Sequence, residues 1–259
     1  MLGLSATPKR KDGLSKVFEY FIGDYVYKQT EQESRQVEVN MIQLDSRYSY
    51  CREFKNYNKQ LNMPKMITNI CEFEGRNRLI IDLIKHIVSD KNRQTLILSD
   101  RKNQLSELFK VISNEKICSV GYYVGGMKEL ELKKSESKRI ILGTYAMSSE
   151  GMDIPSLNTL IFASPKSDIQ QSVGRILRKV TETIPCIYDV VDNFSMFSNQ
   201  VNKRIKYYHK TNCDVFSSKV ILYQQLCLND KTKILPKTRG RKPKEPPKPI
   251  NLEQYLFLD

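Results

Sequence analysis

From Asn77 onward, short apolar runs and amphipathic stripes alternate along the chain. Apolar residues three and four apart predict helices, and uninterrupted apolar runs of about five residues predict buried strands. The helical stripes comprise Leu79, Ile80, Leu83, Ile84, Ile87 and Val88, and then Leu105, Leu108, Phe109 and Ile112. The strand runs cover residues 95–99, 120–124, 139–145, 159–163 and 187–191. Strands that alternate with helices predict right-handed crossovers, and therefore an α/β fold with a parallel sheet covered by helices on both faces.

The residues before this regular region are patterned less clearly. Residues 1–45 predict a strand, a helical turn near Leu14–Phe21, and strands around Tyr25–Tyr27 and Val37–Leu44, which together cannot close a core. Residues 46–76 are rich in Tyr, Asn and Lys and predict a connector that carries a short helix. We interpret this connector as a hinge, with an inserted DNA-contacting element as the alternative.

The residues after the regular region change character twice. Phe194–Tyr208 has apolar residues at helical spacing with Lys and Arg residues within 203–206 between them, which predicts a core-packing helix with a basic outer face. A direct nucleic-acid contact is the alternative for that face.

Residues 213–230 predict one more helix. Residues 231–259 combine Lys and Arg with Pro, which predicts a disordered tail. Its segment RGRKP, residues 239–243, resembles a minor-groove hook, and a solvating or nuclear-import tail is the alternative.

Composition narrows the class of partner. The net charge is +13 and the pI is near 9.4, which favours an anionic polymer or surface as partner. The six cysteines are scattered and the only histidines are His86 and His209, so no zinc-ligand spacing is visible. Dispersed thiols without a signal peptide predict a reduced, intracellular protein that is not secreted. No apolar run approaches the roughly 20 residues that cross a bilayer, so no membrane partner is expected.

Residues 171–178 read QSVGRILR and carry two arginines three residues apart. If Ser167 caps a helix and Gln170 completes a capping box, then Gln171, Arg175 and Arg178 stand at i, i+4 and i+7 on one face. A guanidinium is planar and permanently charged, so it can stabilise the charge that develops on a transferring phosphoryl group. The alternative is a basic amphipathic helix that turns its apolar residues inward.

Two further segments accompany this arginine helix. The strand at residues 139–145 leads into a turn containing EGMD, residues 150–153, and a carboxylate there faces the crevice where parallel sheets bind ligands. Residues 2–8 read LGLSATP, a short apolar segment that ends in two hydroxyls and a proline. In order and spacing, the three segments resemble motifs III, V and VI of superfamily 2 helicases and translocases. Residues 2–13 and 123–128 are most similar to the XPB-type repair helicases and the transcript-release helicases of large DNA viruses.

This resemblance covers roughly residues 1–196 and implies a RecA-like lobe that faces ATP and Mg²⁺ across a cleft. It also implies a role for each matching residue. The implied catalytic residues are Arg175 and Arg178; the nucleotide-binding residues are Gly151, Asp153 and Gln171; the nucleic-acid-binding residues are Arg101, Gly126, Lys128 and Thr144; and the residues that couple two lobes are Ser5 and Thr7. Structural alternatives stay open for some of them. Gly125–Gly126 fits a tight turn, Asp100–Arg101 fits a helix N-terminus, and Asp153 fits a capped turn before Pro155.

The sequence departs from the family pattern in its first lobe. Met127 stands where the segment 121–128 would need the P-loop lysine, and no Asp-Glu pair occurs in the sequence. We therefore expect ATP and Mg²⁺ to be held mainly by a first lobe that is missing from this chain, whether the reading frame was cut short or the lobe is supplied in trans. The expected domains are a first-lobe remnant (1–45), an interlobe connector (46–76), a helicase C-terminal RecA-like domain (77–212), a C-terminal helix (213–230) and the basic tail (231–259).

The expected function is the C-terminal half of an ATP-dependent helicase or translocase that supplies arginine fingers and nucleic-acid contacts. The expected polymer is DNA, with RNA as the alternative. Because the P-loop is absent, the chain is expected to be inactive alone. The competing hypotheses are a non-catalytic nucleic-acid-binding module and one subunit of a split helicase.

Overall fold

The computed structural model describes residues 14–24, 26, 36–149, 152–176, 183–228 and 230–236. The chain divides into two compact units, residues 1–35 and 36–259. In the first unit, helix α1 spans Ser15–Ile22 and confirms the helical turn predicted there. The strand predicted around Tyr25–Tyr27 falls largely outside the described residues, as does the motif that contains Ser5 and Thr7.

The second unit alternates strands and helices along most of its length. Its strands are β1 (Glu38–Leu44), β2 (Thr95–Ser99), β3 (Val120–Tyr123), β4 (Ile140–Thr144), β5 (Thr159–Phe162), β6 (Cys186–Asp192), β7 (Asp214–Val220) and β8 (Thr232–Lys233). Its helices are α2 (Met63–Glu72), α3 (Glu74–Val88), α4 (Lys102–Asn114), α5 (Glu129–Glu136), α6 (Tyr145–Ser149), α7 (Gln170–Ile176) and α8 (Ser195–Lys210). Among the described helices, none is both long enough and apolar enough to cross a lipid bilayer.

The strands form one sheet in the order β3-β4-β2-β5-β6-β1-β7-β8. Strands β1 to β7 pair in parallel, and β8 runs antiparallel to β7. Because parallel strands share one direction, the loops that follow β1 to β7 all leave the same carboxyl edge of the sheet. That edge is where the sequence places the candidate chemistry.

Helices cover the sheet on both faces, as predicted. Helices α2, α3 and α4 pack on one face, where Ile70, Leu83 and Ile112 are fully buried. Helices α5 to α8 lie over the other face, where Val173 and Tyr208 are fully buried. Burial on both faces explains why the central strands read as continuous apolar runs and not as alternating patterns.

Strand β1 corrects the predicted domain boundary at residue 45. It pairs along its whole length with β6 and β7, with Leu44 opposite Asp192 and Val220. Val39 and Met41 are fully buried on one face of the sheet, and Ile42 on the other. Residues 38–44 are therefore a core strand of the second unit and not a remnant of another lobe. The boundary falls at residues 35–36.

The interlobe connector and the C-terminal helix are also corrected. The predicted short helix is confirmed as α2, but Met66 and Ile70 are fully buried, so this segment packs into the core and is not a free hinge. The helix predicted over residues 213–230 is wrong, because Asp214–Val220 is strand β7 beside β1. The first residues of the predicted tail contribute β8. Residues 237–259, which include the hook-like RGRKP segment, lie outside the described residues.

Candidate nucleotide and nucleic-acid site

The loops after β2, β4 and β5 lie side by side at the carboxyl edge. The register places Thr144, at the end of β4, opposite Ser99, at the end of β2. The backbone N–H of Asp100 donates to Ser164 Oγ at 2.9 Å, which joins the loops after β2 and β5. Lys166 Nζ lies 3.2 Å from Asp100 Oδ1 and joins the same loops by an ion pair. Segments that are far apart in sequence therefore form one surface.

Helix α7 starts later than the sequence predicts. It begins at Gln170, so the predicted capping box of Ser167 and Gln170 is wrong, because Gln170 is the first helical residue and not the third. Ser172, Val173 and Ile176 turn inward, while Gln171 is exposed and Arg175 partly exposed. Gln171 and Arg175, one helical turn apart, thus lie on the side of α7 that faces away from the core.

Arg175 holds α7 against the segment that follows β4. Its Nε donates to the carbonyl oxygen of Ser148 at 2.7 Å, and its Nη1 donates to that of Met152 at 2.9 Å. Ser148 Oγ lies 3.2 Å from Ser172 Oγ and adds a second link between α6 and α7. The side chain predicted to reach a nucleotide thus also positions the backbone next to Asp153.

The remaining nucleotide-side residues lie near this contact or outside the described part of the chain. Asp153 is exposed between the buried Met152 and Ile154, so it faces outward from the segment that Arg175 holds. Gly151 and Arg178 lie outside the described residues. Of the five residues predicted on the nucleotide side, the structure therefore brings together Arg175 and the segment that carries Asp153, with Gln171 one turn away.

The residues predicted to bind nucleic acid lie along the same edge. Arg101 is held by hydrogen bonds, whereas the others are exposed or partly exposed. The Arg101 guanidinium donates to Thr68 Oγ1 and to the Pro64 carbonyl oxygen, each at 2.8 Å, so it ties α2 to the loop after β2. Thr144 is partly exposed at the end of β4. Gly126 has φ +92° with open space around it, and the exposed Lys128 immediately precedes α5. The positive φ of Gly126 is what a tight turn requires of glycine, which supports that alternative.

Two buried ion pairs, one on each face of the sheet, support this edge, and sequence reasoning missed both. On the first face, Arg76 from α3 binds Asp192 of β6, with Nε and Nη2 each 2.9 Å from a carboxylate oxygen. The Tyr50 hydroxyl donates to the same carboxylate at 3.0 Å. Arg76 Nη1 donates to the carbonyl oxygen of Ala163, the residue directly after β5. Arg76 is fully buried, so its charge depends on Asp192.

The second pair repeats this arrangement on the other face. Arg204 from α8 binds Asp189 of β6 at 2.8 and 3.0 Å, and the Tyr208 hydroxyl donates to Asp189 at 2.9 Å. Arg204 Nη1 also donates to the Lys166 carbonyl oxygen at 2.6 Å. Burial lowers the pKa of Arg204, but the Asp189 carboxylate more than reverses this, so the pKa lies above its ordinary value. Arg204 is thus a core residue, which corrects its predicted place on a basic outer face.

Both buried arginines therefore hold the loop that leads from β5 into α7, from opposite faces of the sheet. A sequence signal existed for them, because Asp189 and Asp192 interrupt an otherwise apolar strand. A buried carboxylate requires a partner, and that requirement predicts a buried cation without saying which one.

We expect Asp192→Ala to destabilise the protein by about 3–5 kcal/mol, because it leaves the fully buried Arg76 charge without its partner. The free energy of unfolding from urea titration, followed by circular dichroism, measures this. Replacing both partners, Arg76→Met with Asp192→Leu, should recover most of the loss, since the uncompensated charge is then gone.

The exposed pair Lys85–Glu115, 2.8 Å apart with both side chains about half exposed, provides the matched control. Glu115→Ala should cost less than about 1 kcal/mol. An equal loss for Asp192→Ala and Glu115→Ala would contradict the structural role assigned to the Arg76 pair.

The parallel sheet covered by helices on both faces fits one class of protein, a RecA-like lobe that carries a helicase C-terminal domain. Residues 76–180 match the family described as helicase conserved C-terminal domain. The match spans α3 to α7, and thus includes Arg76, the loop after β2 and the arginine helix.

Relatives of viral origin agree with this class. The chain is 34% identical over its full length to L396 of Acanthamoeba polyphaga mimivirus, which carries the name of an ATP-dependent RNA helicase. It is 26% identical over 81% of its length to 161L of Invertebrate iridescent virus 6, which carries the name of a helicase. The chain spans about half the length of these curated relatives, 55% of L396 and 49% of 161L.

Solved structures share the fold. T4 UvsW superposes with a TM-score of 0.57 at 19% identity, over 78% of this chain and 45% of that one. S. cerevisiae Dbp5 bound to RNA and ADP BeF3 superposes with a TM-score of 0.51 at 13% identity, over 82% of this chain and 49% of that one. At these identities the likeness establishes the RecA-like architecture alone.

Proposed function

We propose that this chain acts as the C-terminal part of an ATP-dependent helicase or translocase that moves along one strand of nucleic acid. One observation carries the proposal: Arg175 of α7 holds the segment before Asp153 through the carbonyls of Ser148 and Met152. Two sequence motifs predicted to meet one nucleotide thus lie in contact at the carboxyl edge, where parallel sheets bind ligands.

On the nucleotide side, each residue of this lobe has a separate task. Asp153 accepts a hydrogen bond from a ribose hydroxyl, and Arg175 keeps the segment that presents it in place. Arg178, with its permanent charge, stabilises the charge that develops on the transferred phosphoryl group. A P-loop lobe in cis or in trans holds the ATP and its Mg²⁺, since residues 121–128 lack the P-loop lysine.

On the nucleic-acid side, the loops after β2, β3 and β4 contact the phosphates of one strand. Lys128 and the open turn at Gly126 offer a cation and backbone amides, and Thr144 offers a hydroxyl. Closing of the lobes around ATP and their release after hydrolysis then move this grip along the strand. The proposed polymer is DNA, because residues 2–13 and 123–128 are most similar to XPB-type repair helicases and to the transcript-release helicases of large DNA viruses. L396 carries the name of an RNA helicase, so every assay also includes RNA.

The alternative candidates are a non-catalytic binding module and one subunit of a split helicase. Neither candidate requires a P-loop or an Asp-Glu pair in this sequence, which contains neither. They differ in a single respect, which is whether a second polypeptide with a P-loop lobe restores ATP hydrolysis.

ATPase assays of the purified chain, with and without single-stranded DNA or RNA, test the proposal. We expect no turnover by the chain alone, and polynucleotide-stimulated turnover after addition of a P-loop lobe. Turnover by the chain alone would contradict the division of labour between lobes. Nucleic-acid binding without any restored turnover would favour the binding module.

A further inference from the structure

The segment between β1 and α2 folds back on itself into a small closed loop. The backbone N–H of Asn62 donates to the Phe54 carbonyl at 2.7 Å, and that of Asn56 donates to the Gln60 carbonyl at 2.8 Å. Asn62 Nδ2 donates to Asn56 Oδ1 at 2.6 Å and closes the loop a second time. We call residues 52–62 the basic hairpin. Its backbone is fixed by its own hydrogen bonds and not by packing alone.

The tip of the basic hairpin presents an aromatic ring to solvent. Tyr57 has a relative exposure of 103%, so the whole ring is accessible. Lys59, two residues on, has φ +58°, a left-handed conformation that non-glycine residues rarely adopt, and its N–H donates to the Asn56 carbonyl at 2.9 Å. The turn therefore keeps the Tyr57 ring in solvent, where it contributes nothing to the core.

The same segment carries several exposed cations. Arg52, Lys55 and Lys59 of the basic hairpin are exposed, as is Lys65 in the first turn of α2. Arg52 and Lys65 each lie over the ring of the partly buried Phe54, 4.8 and 4.9 Å from its centroid. The one acidic side chain of the hairpin, Glu53, accepts a hydrogen bond from Ser195 Oγ at 2.6 Å. The exposed surface is thus an aromatic ring among positive charges.

The basic hairpin adjoins the predicted nucleic-acid surface. It follows β1 and so leaves the same carboxyl edge as the loops after β2 and β3. Arg101 donates to the Pro64 carbonyl, which joins the loop after β2 to the first turn of α2. Lys102 Nζ donates to the Gly125 carbonyl at 3.3 Å, which joins α4 to the loop after β3. Lys128, Lys102 and the hairpin cations therefore all lie on segments that follow strands at the carboxyl edge of the sheet.

We propose that the basic hairpin is a binding site for single-stranded nucleic acid, in which a base stacks on Tyr57 and Arg52, Lys55, Lys59 and Lys65 contact the adjacent phosphates. Stacking on an exposed ring beside cations is how proteins hold single strands without reading sequence. The site rests on the proposed function only in sharing its polymer, because stacking and charge contacts need no ATP.

The direct test is fluorescence anisotropy of the full chain with labelled oligothymidylate and oligouridylate of about 20 nucleotides, longer than a site of about 4–16 nucleotides. Tyr57→Ala should weaken binding by about 10-fold, since it removes one stacked base. Tyr57→Phe keeps the ring and should bind as the parent does. The paired change Lys55→Ala with Lys59→Ala should lower the slope of log affinity against log salt by about 1.4.

Lys91→Ala is the matched control, because Lys91 is exposed in the loop before β2, at the opposite edge of the sheet. It should leave the affinity unchanged. A parent affinity for Tyr57→Ala, or an equal loss for Lys91→Ala, would overturn the site. Thermal unfolding should be unchanged in Tyr57→Ala, because the ring has no packing contacts to lose.

The same measurements separate this site from the proposed function. Tyr57-dependent binding with no ATPase in any assembly would leave the hairpin site standing and count against the helicase role. If the parent and Tyr57→Ala show equal polynucleotide affinities and equal polynucleotide-stimulated ATPase, the helicase role stands and the hairpin site is overturned. A preference between oligothymidylate and oligouridylate identifies DNA or RNA as the source of the stacked base.

Discussion

A chain that begins at Gln36 will fold, and a chain that begins at Ser46 will not. The second deletion removes β1, which lies between β6 and β7 and pairs with both. Burial of the four β1 side chains Val39, Met41, Ile42 and Leu44 contributes about 6 to 12 kcal/mol, which is comparable to the whole stability of a domain. The deletion also exposes two unpaired strand edges, which favour aggregation.

Circular dichroism and urea titration of the two shortened chains measure this difference. The chain from Gln36 should unfold in one cooperative transition, because residues 36–259 form a compact unit of their own. The chain from Ser46 should lack that transition. A cooperative transition with an unchanged midpoint in the chain from Ser46 would show that β1 does not belong to this core.

The same strand shows where sequence reasoning stops. The stripe over residues 79–88 and the runs at β2, β4 and β5 were sufficient to predict their elements, because a buried helix and a buried strand each impose a pattern that is local in sequence. The place of β1 depends on pairing with residues 186–192, far along the chain. Nothing local in residues 38–44 distinguishes a strand of this sheet from a strand of a neighbouring lobe.

Short and polar elements were missed for a related reason. Strand β7 offers few buried apolar residues besides Val215 and Val220, so residues 213–230 fitted a helical pattern as well as a strand. Helix α5 buries only Ser135, so it carries no apolar stripe for a periodicity argument to detect. Both elements are positioned by the sheet they cover or extend, and their own sequences specify them weakly.

For the candidate site, the sequence predicted the edge but not what supports it. Motif order was sufficient to bring α7 and the segment after β4 together, and the Arg175 contacts agree with that placement. Asp189 and Asp192 required buried partners, yet the sequence offers 42 Lys and Arg residues as candidates. Only the fold selects Arg76 and Arg204, because these two lie on the helices that cover β6 from opposite faces.

The two buried arginines also hold the loop that leads into α7. The loop from β5 to α7 is held by Arg76 at Ala163 and by Arg204 at Lys166, and both arginines are anchored to one strand. A rigid approach to α7 fixes the position of Arg175, and a charge proposed to act on a transition state needs such positioning more than a ground-state contact does. The two buried pairs therefore link the stability of the core to the chemistry proposed at its edge.

Arg178→Ala will lower the kcat for ATP hydrolysis of the assembled enzyme by about 10³-fold, with little change in the KM for ATP and none in polynucleotide affinity. Arg178 lies outside the described residues, so this prediction comes from its place three residues beyond Arg175 in the sequence. Arg178→Lys should not restore the rate, because a point charge cannot reproduce the planar guanidinium.

Arg175→Ala should behave differently, because Arg175 holds the segment that presents Asp153. It should raise the KM for ATP as well as lower kcat, since nucleotide binding in the ground state is then disturbed too. Steady-state ATPase kinetics and anisotropy with oligothymidylate and oligouridylate measure both variants. Lys91→Ala, at the opposite edge, should match the parent in each assay. Equal loss of ATPase and of polynucleotide affinity in Arg178→Ala would contradict its role at the phosphoryl group, because a residue that acts there has no contact with the polymer to lose.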